Sequence, residues 1–221
     1  MAEAVRPWIL VSSSSGETFR ALHSKIAPRT REALVGYYAD RPSPGVAVAQ
    51  GLLGESKVHQ FPKAEFEARL IAARAAMPAD LMVVLCGYKA ILSAKFLEDL
   101  RAPVLNLHPS LLPAFPGLDH RVHEEAFARV TVSGFSVHLV DDSVDGGPVL
   151  YQHPVYWGDL ATWQAGRDRV REAEQTYFAP LLDDLLRSNL SAADRAKSSG
   201  ELRGKYQITN PDLVRGLRHL R

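Results

Sequence analysis

The chain has 221 residues, of which 46% are hydrophobic and 23% are charged, and its formal net charge is +1. These values are typical of soluble globular proteins and exclude a disordered, collagen-like or coiled-coil chain. The nearly balanced charge excludes a general electrostatic attraction to nucleic acid or to a membrane surface. The apolar run near the N-terminus is too short for a signal peptide, and no run approaches the roughly 20 residues of a membrane span. We therefore expect a cytoplasmic protein.

Short apolar runs and helical patterns alternate along the first half of the chain. The predicted strands are residues 8–11, 33–38, 81–85 and 103–107. The predicted helices are residues 17–26, 63–77 and 91–100. Residues 41–45 contain two prolines and a glycine and are predicted to form a loop. Cys86, the single cysteine, ends an apolar run and is expected to be a buried thiol. The alternation predicts an α/β fold, a doubly wound and mostly parallel sheet with helices on both faces.

The second half of the chain has a different pattern. Polar and apolar residues alternate over residues 136–139, and a turn at residues 145–148 leads to a returning strand at 149–156. A long helical pattern covers residues 160–187, within which Pro180 is expected to introduce a kink. This half is therefore predicted to add an antiparallel pair of strands and one long helix.

The last segment differs again in composition. Residues 188–221 contain seven basic and three acidic residues. We therefore predict one folded domain at residues 1–187 and a partly ordered basic tail at residues 188–221.

Polar side chains cluster at the end of the predicted strand 103–107. Asn106 and His108 are separated by one residue, so an extended backbone points both to one side, and Pro109 favours that backbone at His108. In open α/β sheets the functional site lies beyond the carboxyl ends of the strands. Asp145 precedes two glycines and a proline, so a tight turn can present its carboxylate. From spacing alone, however, the simpler interpretation is that these are ordinary turn and loop residues.

Two patterns in the sequence resemble metal sites only in part. Asp141, Ser143 and Asp145 imitate the first half of a calcium loop, but Gln152 stands where that loop needs a bidentate glutamate. The two histidines within residues 119–123 have no thiolate partner nearby, which disfavours zinc. We therefore expect no metal.

Four serines at residues 12–15 precede Gly16 and the first predicted helix. The cluster lacks the nucleophile elbow of serine hydrolases, and it could instead hold a phosphate at the helix start. Ser14 and Glu17 also fit a capping box, in which the glutamate folds back onto the helix N-terminus and would repel a phosphate. The sequence leaves both interpretations open.

Several blocks together resemble the folate-dependent formyltransferases, and most of all their glycinamide ribonucleotide branch. Residues 106–113 read Asn-Leu-His-Pro-Ser-Leu-Leu-Pro, and Phe-Pro-Gly follows at 115–117. Residues 133–138 and the Asp-Gly-Gly-Pro run at 145–148 match the next two blocks of the family in order. Residues 85–92 resemble the segment that lines the family's folate pocket. The resemblance covers roughly residues 8–186 and favours functional roles for the polar residues that spacing alone leaves undecided.

The resemblance implies transfer of a formyl group from 10-formyltetrahydrofolate, a co-substrate, to a small primary amine without a metal. Asn106 would donate a hydrogen bond to the tetrahedral oxyanion, His108 would add a donor and move protons, and Asp145 would hold the imidazole. The pterin would bind to Tyr88, Lys89, Ala90, Ile91 and Leu92, and to Val140, Asp141 and Asp142. The acceptor would bind to Ser14, Ser15, Gly16, Pro109 and Glu174.

The acceptor side of the site departs from the family pattern. Glu17 stands where a small polar residue is usual, and residues 40–45 do not match the family's second loop. On the donor side, Ala90 replaces a usual arginine. Glycinamide ribonucleotide or a related amine is the expected acceptor, and a different amine, such as a sugar-nucleotide amine, is an alternative.

Other functional classes remain as alternatives. Hydrolysis of 10-formyltetrahydrofolate is one, although the relatives that catalyse it carry an extra N-terminal domain. A non-catalytic folate-binding module is another, but it would not need Asn106, His108 and Asp145 together. Formylation of initiator tRNA is a third, although the relatives that do so have a larger C-terminal domain. We expect no nucleic-acid or membrane partner, and the sequence leaves monomer and homodimer open.

Overall fold

The computed structural model describes residues 4–117 and 119–202, and in that part of the chain one sheet of seven strands runs through the protein. The strands are β1 (Trp8–Val11), β2 (Leu34–Ala39), β3 (Val58–Gln60), β4 (Met82–Cys86), β5 (Val104–His108), β6 (Val132–Leu139) and β7 (Val149–Tyr156). Their order across the sheet is β3-β2-β1-β4-β5-β6-β7. The strands from β3 to β5 are parallel, whereas β6 and β7 are antiparallel to their neighbours.

Helices lie between the strands along the chain and cover both faces of the sheet. They are α1 (Glu17–Lys25), α2 (Pro28–Glu32), α3 (Pro44–Leu53), α4 (Phe66–Arg74), α5 (Ala94–Leu100), α6 (Asp119–Arg129) and α7 (Trp163–Leu185). Within the described residues, no helix combines the length and the apolar character that a membrane crossing requires.

Strand β1, which lies between β2 and β4 in the sheet, contributes side chains to two separate apolar layers. Trp8 and Leu10 are buried on the face covered by α1, α6 and α7, and Ile9 and Val11 are buried on the face covered by α4 and α5. Burial on both faces explains why this strand is a continuous apolar run rather than an alternating one. The predicted doubly wound sheet with helices on both faces is confirmed.

Several predicted boundaries differ from the observed ones, and in two cases a single side chain explains the difference. The segment 41–45 is not a loop throughout, because α3 begins at Pro44, where proline has a preset φ angle and needs no hydrogen-bond partner for its nitrogen. The helix predicted from residue 91 begins at Ala94, because the hydroxyl of Ser93 accepts a hydrogen bond from the amide of Phe96 at 3.1 Å and so caps the helix there. Residues 91 and 92 consequently remain outside the helix, beside the carboxyl end of β4.

The chain beyond α7 returns to the body of the protein. Leu190 and Leu202 are 0% exposed and belong to the larger apolar layer. Arg6 donates to the carbonyl of Leu190 at 2.6 Å, and Arg195 donates to the carbonyl of Leu97 at 2.7 Å. The start of the predicted basic tail therefore packs against the rest of the protein, and the remainder of that prediction lies outside the described residues.

Replacing Leu190 with alanine is expected to lower the free energy of unfolding by about 2–5 kcal/mol, because the deleted methyl groups leave a cavity in a packed layer. Denaturant unfolding measures the change. Leu52→Ala is the matched control, since Leu52 is exposed on α3 and should change stability by no more than about 0.5 kcal/mol. Equal effects of the two substitutions would mean that residues 188–202 contribute nothing to the stability of the fold.

Candidate active site

A cavity of about 730 Å³ opens at the carboxyl ends of β1, β4 and β5. Its wall contains residues 88–92 after β4, residues 106–109 at the end of β5, and Asp145 in the loop between β6 and β7. This is the edge at which open α/β sheets bind their ligands. The fold thus brings together segments that lie far apart in the sequence.

Asn106 on β5 lies directly opposite His138 on β6. The side-chain nitrogen Nδ2 of Asn106 is 3.0 Å from Nε2 of His138. The Nδ1 atom of His138 is 3.0 Å from the carbonyl oxygen of Leu139, which can only accept, so Nδ1 carries the proton and Nε2 accepts from Asn106. This contact sets the orientation of the Asn106 carboxamide and leaves its second N–H for another acceptor.

The imidazole of His138 lies in a low-dielectric position. Burial lowers its pKa, and the carboxylate of Asp145, with Oδ1 at 3.7 Å from Nε2, opposes that shift. The net direction favours the neutral ring, which is the form that can accept a hydrogen bond from Asn106. The lowered pKa and the hydrogen-bond pattern therefore agree.

His108 is buried, and each of its ring nitrogens has a different neighbour. Its Nε2 is 2.9 Å from the carbonyl oxygen of Phe115, so Nε2 carries a proton and donates it. Its Nδ1 is 3.5 Å from Oδ2 of Asp145. A proton held at Nδ1 would therefore lie between the imidazole and the carboxylate.

The loop that carries Asp145 is held in a demanding conformation. Asp145 has a φ angle of 53°, in the left-handed region, which costs non-glycine residues on the order of 1–3 kcal/mol. The amide of Gly117 donates to Oδ2 of Asp145 at 2.9 Å and fixes the carboxylate. Glycine is needed at residue 147, because a Cβ there would collide with the carbonyl oxygen of Leu139. The left-handed backbone at Asp145 and the glycine at residue 147 thus position this carboxylate beside both histidines.

The sequence model of a protein family described as Formyl transferase matches residues 17–182 of this chain. The chain belongs to the formyl transferase family. The match contains β5, β6, β7 and the loop with Asp145, so it covers the polar wall of the cavity. The resemblance to formyltransferases found in the sequence is confirmed.

Named relatives are similar to this chain over more than half of its length. Phosphoribosylglycinamide formyltransferase of Bacillus subtilis is 24% identical over 196 residues, which cover 84% of this chain and 97% of that protein. The protein of the same name from Mycobacterium tuberculosis is 35% identical over 135 residues, covering 61% of this chain and 62% of that protein. The crystal structure of phosphoribosylglycinamide formyltransferase from Brucella melitensis superposes with a TM-score of 0.70 at 28% identity, covering 84% of this chain and 98% of that chain.

Most of the residues predicted for this formyltransferase's donor side line the cavity. They are Tyr88, Lys89, Ala90, Ile91, Leu92, Val140 and Asp141. Ile91 and Val144 are apolar yet 74% and 56% exposed, and both line the cavity. Asp142 instead lines a second cavity of about 660 Å³, which shares Asp141 and Asp145 with the first. The loop between β6 and β7 therefore separates two cavities.

The residues predicted for the acceptor side mostly line the cavity as well. Ser14, Ser15, Pro109 and Glu174 lie in its wall, whereas Gly16 does not. Within the described residues, no group of three or more histidine, cysteine or acidic side chains could hold a metal ion. The cavity wall contains the carboxamide of Asn106, the imidazoles of His108 and His138, and the carboxylate of Asp145.

The capping-box interpretation of the serine cluster is wrong. The cap of α1 is Gly16, which has a φ angle of 82° and, lacking a side chain, cannot accept a capping hydrogen bond from the helix. A Cβ on Gly16 would lie 2.7 Å from Cα of Gly45, so close packing of two chain segments requires glycine there. The carboxylate of Glu17 does not fold back, because it pairs with Arg171 of α7 at 3.3 Å.

Cys86 is buried, as predicted. Burial raises the pKa of its thiol, and the nearby carboxylate of Glu174 raises it further. Both effects disfavour the thiolate, which is the nucleophilic form. Cys86 packs in the larger apolar layer at the end of β4.

Proposed function

We propose that this formyltransferase moves the formyl group of 10-formyltetrahydrofolate onto a primary amine within the 730 Å³ cavity. The supporting observation is that Asn106, His108 and Asp145 all line one wall of that cavity. Asn106 contacts His138, and the carboxylate of Asp145 lies near the imidazoles of both His138 and His108. The volume lies within the range of pockets that enclose a ligand of several hundred daltons. Phosphoribosylglycinamide, which the names of its relatives specify, is the first candidate acceptor.

The donor's pterin would occupy the part of the cavity lined by residues 88–92 and by Val140 and Asp141. Two features support this assignment. Residues 91 and 92 remain outside α5, so their backbone groups are available to a ring with hydrogen-bonding edges. The exposed side chains of Ile91 and Val144 supply apolar surface for the aromatic part of the donor. Asp142 lies in the wall of the second cavity and would not contact the pterin directly.

The reaction exchanges one carbon–nitrogen bond for another. The amine nitrogen attacks the formyl carbon, the new C–N bond forms, and the bond to N10 of the folate breaks. The carbonyl oxygen carries negative charge in the tetrahedral intermediate, and the second N–H of Asn106 would donate to it. A donor fixed in place before the reaction stabilises such charge without reorganising, and the contact with His138 fixes this one.

The proton released by the amine must reach N10 of the folate. We assign this transfer to the pair formed by Nδ1 of His108 and the carboxylate of Asp145, which are 3.5 Å apart. The other ring nitrogen of His108 is engaged by the carbonyl of Phe115, so Nδ1 is the atom that can exchange a proton. This assignment gives His108 a role in proton transfer and leaves the oxyanion to Asn106.

His138 is then a positioning residue for Asn106. Replacing it with leucine removes the acceptor that orients the carboxamide, and loss of a hydrogen bond worth about 0.5–1.5 kcal/mol should lower kcat up to roughly tenfold. The Michaelis constants for both substrates should change little. His138→Gln keeps an acceptor and should recover most of kcat. Equal losses in the two variants, in step with a lower melting temperature, would leave His138 only a structural role.

The direct test mixes the protein with 10-formyltetrahydrofolate and an amine and follows the release of tetrahydrofolate. We expect release that depends on phosphoribosylglycinamide or, failing that, on a sugar-nucleotide amine. A reaction without amine measures hydrolysis and should be much slower. Absence of release with every amine, beside an active control formyltransferase, would refute the proposal, and rapid formate release without amine would replace it with hydrolysis.

A further inference from the structure

An ion pair lies in the wall of the cavity, on elements that do not carry the catalytic groups. Glu17 is the first residue of α1 and Arg171 lies on α7, and Oε2 of the glutamate is 3.3 Å from Nη1 of the arginine. Both side chains line the cavity, together with Thr18 and Lys63. They are 59% and 38% exposed, so a ligand that enters the cavity can reach them.

The fold does not depend on this ion pair. Ion pairs between solvent-exposed side chains contribute little to stability, because water screens them and both side chains lose freedom. Glu17 also makes no capping hydrogen bond, since the cap of α1 is Gly16. The pair is therefore better explained by what it does to a ligand.

Arg171 is well placed to meet an anionic group of an acceptor. It lies three residues before Glu174 on α7, so both side chains are on the same face of that helix, and both line the cavity. Guanidinium groups bind phosphates and carboxylates through paired hydrogen bonds. In this protein, however, the carboxylate of Glu17 already contacts Nη1 of that guanidinium at 3.3 Å.

We propose that Glu17 is a specificity-determining residue, which competes with the anionic end of the amine acceptor for Arg171. The inference rests on the proposed function. A phosphorylated acceptor must displace the carboxylate or bind beside it against like-charge repulsion, whereas an acceptor without that phosphate pays neither cost. The ion pair therefore weakens the preference of the site for phosphorylated amines and allows amines without a phosphate to bind.

The first test compares kinetics in the whole protein with two acceptors, phosphoribosylglycinamide and the same compound without its phosphate. Glu17→Gln should lower KM for the phosphorylated acceptor roughly tenfold at low ionic strength, with kcat unchanged, and should leave KM for the dephosphorylated acceptor unchanged. The gain should shrink as salt is added. Glu172→Gln, an exposed neighbour on α7 outside the cavity wall, is the matched control and should change neither constant. Equal changes for both acceptors, or no change, would overturn the proposal.

A second measurement does not need turnover. Inorganic phosphate is titrated into the wild-type protein, Glu17→Gln and Arg171→Gln, and binding is followed by calorimetry. Phosphate should bind several-fold more tightly to Glu17→Gln and more weakly to Arg171→Gln than to the wild type. If no variant turns over any amine, the proposed function fails, and the titration still decides the role of the pair. Equal phosphate affinity in wild type and Glu17→Gln would refute the competition.

Discussion

Replacing Asn106 with alanine is expected to lower kcat by roughly 10²–10³, the loss that accompanies removal of one oxyanion donor. The effect should appear in kcat because the negative charge on the formyl oxygen exists only in the transition state and the intermediate. The Michaelis constants for donor and acceptor should change little. Steady-state release of tetrahydrofolate at saturating concentrations of both substrates measures the loss.

The matched control for this substitution is Asn189→Ala. Asn189 is exposed beyond the end of α7, so the change has the same chemistry but lies outside the cavity. Asn106→Ala should lower the melting temperature modestly, because Nε2 of the buried His138 loses its hydrogen-bond donor, whereas Asn189→Ala should leave it unchanged. An Asn106→Ala protein with wild-type kcat would remove Asn106 from the catalytic role.

The architecture follows from local patterns that act over a few residues. A strand buried on both faces must be apolar throughout. The four apolar residues 8–11 form such a strand, and their side chains alternate between the two apolar layers. The boundaries that sequence reasoning missed depend on single side chains. Pro44 decides where α3 begins, and the Ser93 cap decides where α5 begins. A prediction from composition alone, such as the loop at residues 41–45, takes no account of these single side chains.

The candidate site could be predicted in part. Asn106 and His108 share one side of β5 because alternate strand residues do so, and both line the cavity. His138 was missed, because its role depends on the register between β5 and β6, which a single sequence does not contain. A signal was present, since polar residues alternate with apolar ones over residues 136–139. The pattern marks a polar face but does not identify its partner.

The serine cluster illustrates a motif that fits locally and fails in three dimensions. Ser14 and Glu17 have the spacing of a capping box, yet the chain turns at Gly16, which becomes the cap. A Cβ at that position would lie 2.7 Å from Cα of Gly45, so only glycine fits there. Arg171, the residue that the glutamate contacts instead, is far away in sequence. Neither the packing of Gly45 nor the position of α7 can be derived from the motif.

Replacing Asp145 with asparagine is expected to lower kcat by roughly 10²–10⁴, the usual range for loss of acid–base catalysis. Asparagine has nearly the same shape, and its carbonyl oxygen can still accept the hydrogen bond from Gly117. The substitution therefore removes the charge opposite Nδ1 of His108 while leaving the loop in place. It removes the ability of that carboxylate to take and return a proton.

The same substitution has a separable effect on His138. The carboxylate of Asp145 raises the pKa of His138 against the effect of burial, so its loss lowers that pKa further and keeps the ring neutral. A neutral His138 still accepts from Asn106, so the oxyanion donor stays oriented and the loss of kcat reports on proton transfer alone. Steady-state kinetics between pH 6 and 9 measure it, with Asp168→Asn, an exposed change on α7, as the control. If Asp145→Asn keeps wild-type kcat across that range, the proton must travel by another route, and the pair with His108 has no catalytic part.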